Sequence, residues 1–234
     1  NRSLDVYTSC GGSTFSSYVY NHIYIEKAPS GYQIMPSLVM DNNSRYNESN
    51  LNPQLYLNSQ VPSSVAAKSD EIVGDETDPY TKVFLIYQWV VENIHYDYPA
   101  ISGDIRLDDS ESVLERRCGV CAGYSYLLRD MILAQGIPAI ASTNLANYGS
   151  YALSESGGEA HAHTEAYVNG RWIVMDATWD SKNKYYGGDN YHTEAPNGYY
   201  YFDITPEAFA MDHKITTRGG ISGFIDQNGF ITDS

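Results

Sequence analysis

The sequence predicts an α+β fold in which helices pack against an antiparallel sheet. Apolar residues recur with a helical period in two central segments, around residues 83–94 and 121–135. Strands with a clear hairpin signal follow these helices rather than alternating with them, as is typical of an antiparallel sheet. The 234 residues are enough for one large domain. We expect a β-rich N-terminal segment over residues 1–60, a main domain over 61–215 and a C-terminal hairpin over 216–234.

The N-terminal segment contains short runs of β-forming residues. These runs are Tyr18–Tyr20, Ile23–Ile25 and Tyr32–Ile34. Turn-forming clusters such as Ala28-Pro29-Ser30-Gly31 separate them, which indicates short strands joined by tight turns.

The first long helix is predicted by the spacing of its apolar residues. Val83, Tyr87, Val90 and Ile94 follow one another at steps of four, three and four residues, so that they share one helical face. Asp78 is placed to cap the N-terminus of this helix, with Pro79 at the first helical position.

A second helix is predicted to begin at a pair of cysteines. After a short helix around Ser112–Arg117, the sequence Cys118-Gly119-Val120-Cys121 opens a helix that runs to Gln135. Gly136-Ile137-Pro138 ends it, because glycine suits the residue after a helix and proline cannot continue one.

The second half of the chain is predicted to be mainly strands. A strand over Ala139–Ser142 precedes a hairpin turned by Asn169-Gly170, which is a strong hairpin signal. The remaining predicted elements are the hairpin arms His161–Val168 and Arg171–Thr178, a strand Tyr199–Phe202, a helix Pro206–Met211 and a terminal hairpin about Gln227–Gly229.

Composition excludes some classes of function. Twenty-nine acidic and fourteen basic side chains give a net charge of −15, which repels nucleic acid and anionic lipid. No stretch approaches the roughly 18–20 consecutive apolar residues of a membrane span. No EF-hand pattern occurs, and we predict no metal or other cofactor. The 22 tyrosines and the acidity favour an exported protein, extracellular or at the cell surface.

A candidate nucleophile and its base come from two predicted elements. Cys121 lies at a helix start, where the helix dipole favours a thiolate, although a lone cysteine also packs as an ordinary small apolar residue. The turn at Asn169-Gly170 pairs residue 168 with residue 171, so Asp176 faces His163, with His161 diagonally adjacent. Glycines on either side of Cys121 allow a ligand to approach. A cysteine, an imidazole and an orienting carboxylate form a nucleophilic arrangement.

Two alternatives use the same cysteines. Cys118 and Cys121 have the spacing of a thioredoxin-like redox site, but such a site follows a strand, whereas the segment before Cys118 is predicted to be helical. The two cysteines with His161 and His163 could also hold zinc, although this would leave Asp176 without a role.

Three spaced motifs resemble the transglutaminase-like superfamily, whose core is similar to that of papain-type cysteine proteases. The motifs are Gly119-Val120-Cys121-Ala122-Gly123-Tyr124-Ser125 with Gly136-Ile137-Pro138, the segment from His161 through Trp172, and Met175-Asp176-Ala177-Thr178-Trp179. Segments around Ile86–Val91, Ile94–Asp97, Tyr201-Phe202 and Asp212-His213 extend the resemblance over about residues 61–215.

The resemblance implies a catalytic domain with Cys121 as nucleophile, His161 as base and Asp176 as its orienting residue. It implies acyl transfer from a protein or peptide carboxamide to an amine or to water. As donors to the oxyanion we consider the Cys121 N–H with Tyr96, or less favourably with Gln88, which lies in the middle of a predicted helix. A cysteine peptidase and a non-catalytic cell-surface binding module remain alternatives. His163 replaces the family's usual tryptophan and competes with His161, and Cys118 could pair with Cys10. The oligomeric state is not predicted.

Overall fold

The computed structural model describes residues 25–28, 31–34, 53–57, 60–104, 106–147, 158–219, 221–222, 224–225 and 231–232. The predicted run Tyr18–Tyr20 and Cys10 lie outside these residues. In the N-terminal segment β1 (Ile25–Ala28) pairs with β2 (Gly31–Ile34) in an antiparallel hairpin. The cluster predicted to form a turn thus has a strand on either side, and its two middle residues lie outside the described ones.

The predicted α+β class is confirmed by a five-stranded antiparallel sheet with helices packed on it. Its strands are β5 (Ala139–Ala146), β6 (Glu159–Val168), β7 (Arg171–Met175), β10 (His213–Arg218) and β11 (Ile221–Ser222). They lie in the order β11-β10-β5-β6-β7. The β6–β7 hairpin pairs Val168 with Arg171 and Thr164 with Met175, which is the predicted register. β10 continues across residue 215, where the sequence suggested a domain boundary.

A smaller sheet lies beside the main one. It consists of β3 (His95–Asp97), β4 (Cys118–Gly119), β8 (Lys184–Tyr185) and β9 (Tyr191–His192). β3 runs parallel to both β4 and β8, and β9 is antiparallel to β8. Strands of two or three residues are too short to carry a periodic signal, and the sequence did not predict this sheet.

Four of the described helices, those that begin at residues 79, 98, 110 and 177, start where an aspartate side chain accepts a first-turn N–H group. The described helices are α1 (Ser63–Val73), α2 (Pro79–Asn93), α3 (Tyr98–Ile101), α4 (Ser110–Arg116), α5 (Cys121–Ala134), α6 (Ala177–Asp180) and α7 (Pro206–Phe209). The predicted cap of α2 is confirmed, because the Asp78 carboxylate accepts from the Thr81 N–H at 2.8 Å. α4 begins two residues before the predicted start, because Asp109 caps it.

The core lies between α2, α5 and the main sheet. Val83, Tyr87, Val90 and Ile94 are all fully buried, as their spacing predicted. α5 contributes a second buried row, which includes Leu127, Leu128 and Met131, and it packs against β5 and β6. The Thr164 hydroxyl of β6 donates to the Ser125 carbonyl and so holds the first turns of α5 beside that strand.

Two strand predictions are wrong in extent or kind. β7 ends at Met175 instead of Thr178, because the Asp176 side chain caps α6 by accepting from the N–H groups of Thr178 and Trp179. The predicted strand Tyr199–Phe202 is a turn, with a single β-bridge between Phe202 and Met175. The terminal strands β12 (Phe224–Ile225) and β13 (Ile231–Thr232) pair in antiparallel fashion, and the turn predicted about Gln227–Gly229 lies outside the described residues. Among the described residues, no helix is long and apolar enough to cross a membrane.

Candidate active site

Cys121 is the first residue of α5, immediately after β4 and Val120. The N-cap residue Val120 offers no side chain to the N–H groups of the first turn. Those groups and the helix dipole therefore point positive charge toward the Cys121 end of the helix. The thiol is half-buried and lines a cleft. This placement is the one that the sequence predicted.

The glycines on either side of Cys121 allow close packing of the surrounding backbone. A Cβ on Gly123 would lie 2.9 Å from Val113 Cγ2 and 3.1 Å from Asp108 Oδ1, and one on Gly119 would lie 3.2 Å from Val113. The absence of side chains lets α4 and the preceding loop lie directly against α5. Glycine here fixes where the helix, and with it Cys121, begins.

His161 and Asp176 form a buried pair at the open end of the hairpin. His161 Nε2 lies 2.6 Å from Asp176 Oδ2, and the carboxylate is 1% exposed. The other oxygen, Oδ1, accepts the backbone N–H groups that begin α6. Because one oxygen is fixed by a helix and the other faces the imidazole, the carboxylate cannot rotate without losing several hydrogen bonds.

Burial and the neighbouring charges shift the pKa values of both residues of this pair. Burial disfavours a charged imidazole, but the charge and hydrogen bond of Asp176, with a further contribution from the Cys121 thiol, raise the pKa of His161 to about 10. Burial also disfavours the charged form of Asp176 and would raise its pKa. The neighbouring His161 and His213 nevertheless hold this pKa far below its usual range. At neutral pH the structure therefore favours an imidazolium on His161, paired with the Asp176 carboxylate and in contact with the Cys121 sulfur.

A cleft of about 350 Å³ opens over this cluster. Cys121, His161 and Tyr96 all line this cleft, so the candidate oxyanion donor faces the same space as the thiol. The other lining residues are Tyr98, Ala146, Glu159, Ala160, Thr178, Trp179, Ser181, Lys182, Asn183 and Lys184. Gln88, a mid-helix residue of α2, instead donates to Glu92 one turn further along.

His163 is placed away from Asp176, although the register puts the two positions opposite each other. Its side chain is 1% exposed, and the Asn144 amide donates to its Nδ1 at 2.8 Å. Burial lowers the pKa of His163. Asp176 lies beyond the end of β7, where the chain turns into α6, and its free oxygen reaches the diagonal position His161. His163 is therefore a neutral side chain that is buried against the main sheet.

Cys118 also differs from Cys121 in its surroundings. Its free thiol is fully buried, 3.6 Å from Asp97 Oδ2, and burial raises its pKa. Such a thiol is poorly placed for exchange with a solvent-borne disulfide. The suggested pairing with Cys10 lies outside the described residues.

His213 is a second imidazole in contact with Asp176, and the sequence did not predict a role for it. His213 Nε2 lies 3.1 Å from Asp176 Oδ2, and its Nδ1 lies 2.5 Å from Asp212 Oδ1. The motif Asp212-His213 is part of the family resemblance, but it does not predict a contact with Asp176. His213 is 37 residues from Asp176 and reaches the carboxylate through the pairing of β10 with β5.

The donor atoms of His161, Asp176 and His213 lie within 4.8 Å of one another, which raises the question of a metal ion. Two ligands of a tetrahedral zinc ion lie about 3.3 Å apart, given bonds of about 2.0 Å. The carboxylate oxygen is 2.6 Å from one imidazole and 3.1 Å from the other. These separations are those of direct hydrogen bonds.

Comparisons with curated proteins find relatives over half of the chain. Kyphoscoliosis peptidase from Homo sapiens is 30% identical over 129 residues, which are 51% of this chain and 19% of that protein. The Mus musculus protein of the same name is 27% identical over 128 residues, with the same coverage. The chain thus spans about a fifth of the length of the curated relatives it matches.

Two solved structures are similar to part of the chain. A candidate cysteine protease from Cytophaga hutchinsonii is 26% identical with a TM-score of 0.44, covering 58% of this chain and 47% of that one. The periplasmic domain of TgpA from Pseudomonas aeruginosa is 21% identical with a TM-score of 0.43, covering 56% and 49%.

A family model matches the part of the chain that carries the site. The model is described as the transglutaminase-like superfamily, and its match covers residues 66–177. These residues include the start of α5 and both arms of the β6–β7 hairpin. Residues 66–177, which are 112 of the 234 residues, are therefore similar to the transglutaminase-like superfamily.

Proposed function

We propose that this protein is a thiol acyl-transfer enzyme in which Cys121, His161 and Asp176 act on a carboxamide of a protein or peptide. The observation that carries the proposal is the 2.6 Å contact between His161 Nε2 and Asp176 Oδ2, in a cleft that Cys121 also lines. Enzymes of the transglutaminase-like superfamily act on protein substrates, and the family match includes all three residues.

In the acylation step Cys121 Sγ attacks the carbonyl carbon, and the thiol proton resides on His161. Since Asp176 occupies Nε2, the other ring nitrogen is the one available to the thiol. The carbonyl oxygen becomes an oxyanion, which the Cys121 N–H and the Tyr96 hydroxyl would stabilise. His161 then protonates the leaving nitrogen, the C–N bond breaks, and a thioester on Cys121 remains.

In the second step an amine or water attacks the thioester. His161 accepts a proton from the attacking group, the C–S bond breaks, and the thiol is restored. An amine gives cross-linking, and water gives deamidation when the leaving group was ammonia or proteolysis when it was a peptide amine. The name of the curated relatives, a peptidase, supports water as the acceptor.

The walls of the cleft suit a polypeptide rather than a polyanion or a lipid. Aromatic side chains (Tyr96, Tyr98 and Trp179) supply flat apolar surface, and Lys182, Lys184 and Glu159 supply charges of both signs. Mixed polar and aromatic walls bind neutral peptide segments through stacking and hydrogen bonds. The acidity of the whole chain supports an extracellular or cell-surface location, which fractionation of the producing cells would test.

The test uses a glutamine-containing peptide with and without a labelled primary amine. Amine incorporation, ammonia release and peptide cleavage are measured together, and intact mass detects a covalent acyl group on the protein. We expect one of the three products from the wild type, none from Cys121→Ser, and the wild-type product from the matched variant Cys118→Ser. A folded wild type that forms neither product nor adduct with varied peptides would contradict the proposal and favour a binding module.

A further inference from the structure

His213 is a buried imidazole with a carboxylate on each ring nitrogen. Nε2 lies 3.1 Å from Asp176 Oδ2 and Nδ1 lies 2.5 Å from Asp212 Oδ1, and the residue is 1% exposed. An ionised carboxylate only accepts hydrogen bonds. Both contacts are therefore hydrogen bonds only when both ring nitrogens carry a proton, which makes His213 an imidazolium.

Groups of both signs face His213, and the two that contact its ring nitrogens are carboxylates. The charged and titratable groups that face it are Asp176, Asp212, His161, His163 and Tyr201. The two carboxylates are anionic, and the Tyr201 hydroxyl donates to Asp212 Oδ2 at 2.6 Å, which stabilises that carboxylate as an anion. Burial opposes the charge, but the two aspartates raise the pKa of His213 above its usual range.

Aromatic rings fix the plane of the imidazole. The Phe209 ring is stacked on it at 4.1 Å with an interplanar angle of 10°, and the Trp179 ring lies 4.3 Å away. His213 cannot leave the two carboxylates without disturbing these contacts. It is not among the residues that line the cleft, so it has no direct access to a substrate there.

Charges of alternating sign therefore run inward from the cleft: His161, Asp176, His213 and Asp212. Asp176 divides its attraction between two imidazolium rings whose centroids are 5.4 Å apart. A second cation on the same carboxylate weakens the hold of that carboxylate on the proton of His161.

We propose that His213 is a positioning residue, a fixed imidazolium between Asp176 and Asp212 that orients the Asp176 carboxylate and limits how tightly His161 holds its proton. This role rests on the proposed function only for its catalytic benefit. An imidazolium on His161 that releases its proton more readily is a better acid toward the leaving nitrogen. The charge arrangement itself does not depend on any substrate.

The experiment is NMR of the histidine rings in the folded protein, with the signals assigned from single variants. In the wild type at pH 7 we expect both nitrogens of His213 to be protonated. In His213→Gln, which keeps an amide donor but removes the charge, the ratio of imidazolium to imidazole on His161 at pH 10 should rise about tenfold, since a unit charge about 5 Å away shifts a pKa by one or more units. His192→Gln, at an exposed histidine of β9, should leave this ratio unchanged.

A His213 with one unprotonated nitrogen at pH 7 would overturn the proposal, and this measurement needs no variant. An unchanged ratio on His161 in a folded His213→Gln would overturn it as well. Neither result depends on turnover. A protein that shows both expected results but no acyl transfer would contradict the proposed function and leave the role of His213 intact.

Discussion

Replacement of Asp176 by asparagine removes one charge from the centre of the site while keeping its shape. The side-chain oxygen of the asparagine can still accept the N–H groups of Thr178 and Trp179 that begin α6. Its amide nitrogen, however, would present N–H donors to His161 and His213, whose protonated nitrogens donate to the carboxylate in the wild type. Asp176→Asn therefore tests the electrostatic part of the pair separately from the helix cap.

The size of the effect follows from the pKa of His161, which is about 10 against an ordinary 6.5. That difference corresponds to about 5 kcal/mol in favour of the imidazolium. The folded pKa is raised, so the stability it contributes is fully present below pH 6.5 and is lost as the pH rises through about 10. The lowered pKa of Asp176 describes the same interaction and is counted once.

In Asp176→Asn we expect the titration midpoint of His161 to fall from about 10 to below 6.5, because burial is then opposed only by the smaller contribution of Cys121. We expect the free energy of unfolding at pH 7 to fall by about 3–5 kcal/mol, as when a buried pair loses one partner. NMR titration of the His161 ring and urea denaturation measure the two quantities.

The control for this variant is Asp189→Asn, which removes the same charge from an exposed loop. It should leave the His161 midpoint unchanged and should alter the unfolding free energy by no more than about 0.5 kcal/mol. A His161 midpoint that stays near 10 in folded Asp176→Asn would show that another group holds the proton, and would refute the reasoning.

Three further predictions concern the framework of the site. Arg218→Met should lower the unfolding free energy by about 3–5 kcal/mol in urea denaturation, because it leaves Glu165 charged, fully buried and without its ion-pair partner. Burial opposes ionisation of Glu165, but Arg218 brings its pKa down from 4.5 to about 2. The free energy of unfolding of the wild type should therefore fall by about 3 kcal/mol as the pH falls from 4.5 through 2, and acid titration of unfolding measures this loss. Gly123→Ala should cost about 1–3 kcal/mol in thermal unfolding, because its Cβ would meet Val113 Cγ2 at 2.9 Å.

Each of these predictions has a paired variant that separates it from a general loss of stability. Combining Arg218→Met with Glu165→Gln should recover part of the loss and flatten the acid response below pH 4.5. Combining Gly123→Ala with Val113→Ala should cost less than the sum of the two single changes, because the clash is removed. Strict additivity in either pair would contradict the contacts on which these predictions rest.

Local sequence rules predicted the parts of the fold that depend on near neighbours. The Asn169-Gly170 turn determined the register of β6 and β7, and Asp78 with Pro79 determined the start of α2. These features depend on turn geometry and capping within a few residues. The same rules placed Cys121 at a helix start and Asp176 beside the imidazoles of β6.

The features that the sequence did not predict depend on contacts between distant segments. The choice of His161 over His163 as the partner of Asp176 came from the family resemblance, because the register alone favoured His163. Asp176 reaches His161 because it lies past the end of β7, where it caps α6. His213 reaches the same carboxylate from β10, the neighbour of β5 on the side away from β6. No local pattern encodes such an approach.

The central claim is that His161 activates Cys121, and the rate of Cys121 alkylation tests it most directly. The folded protein is treated with iodoacetamide at pH 7, and adducts on Cys10, Cys118 and Cys121 are counted separately by peptide mapping. We expect Cys121 to be labelled faster than the buried Cys118. His161→Gln should slow the labelling of Cys121, and His192→Gln should leave it unchanged. A Cys121 that reacts at the same rate in the wild type and in folded His161→Gln would contradict the claim.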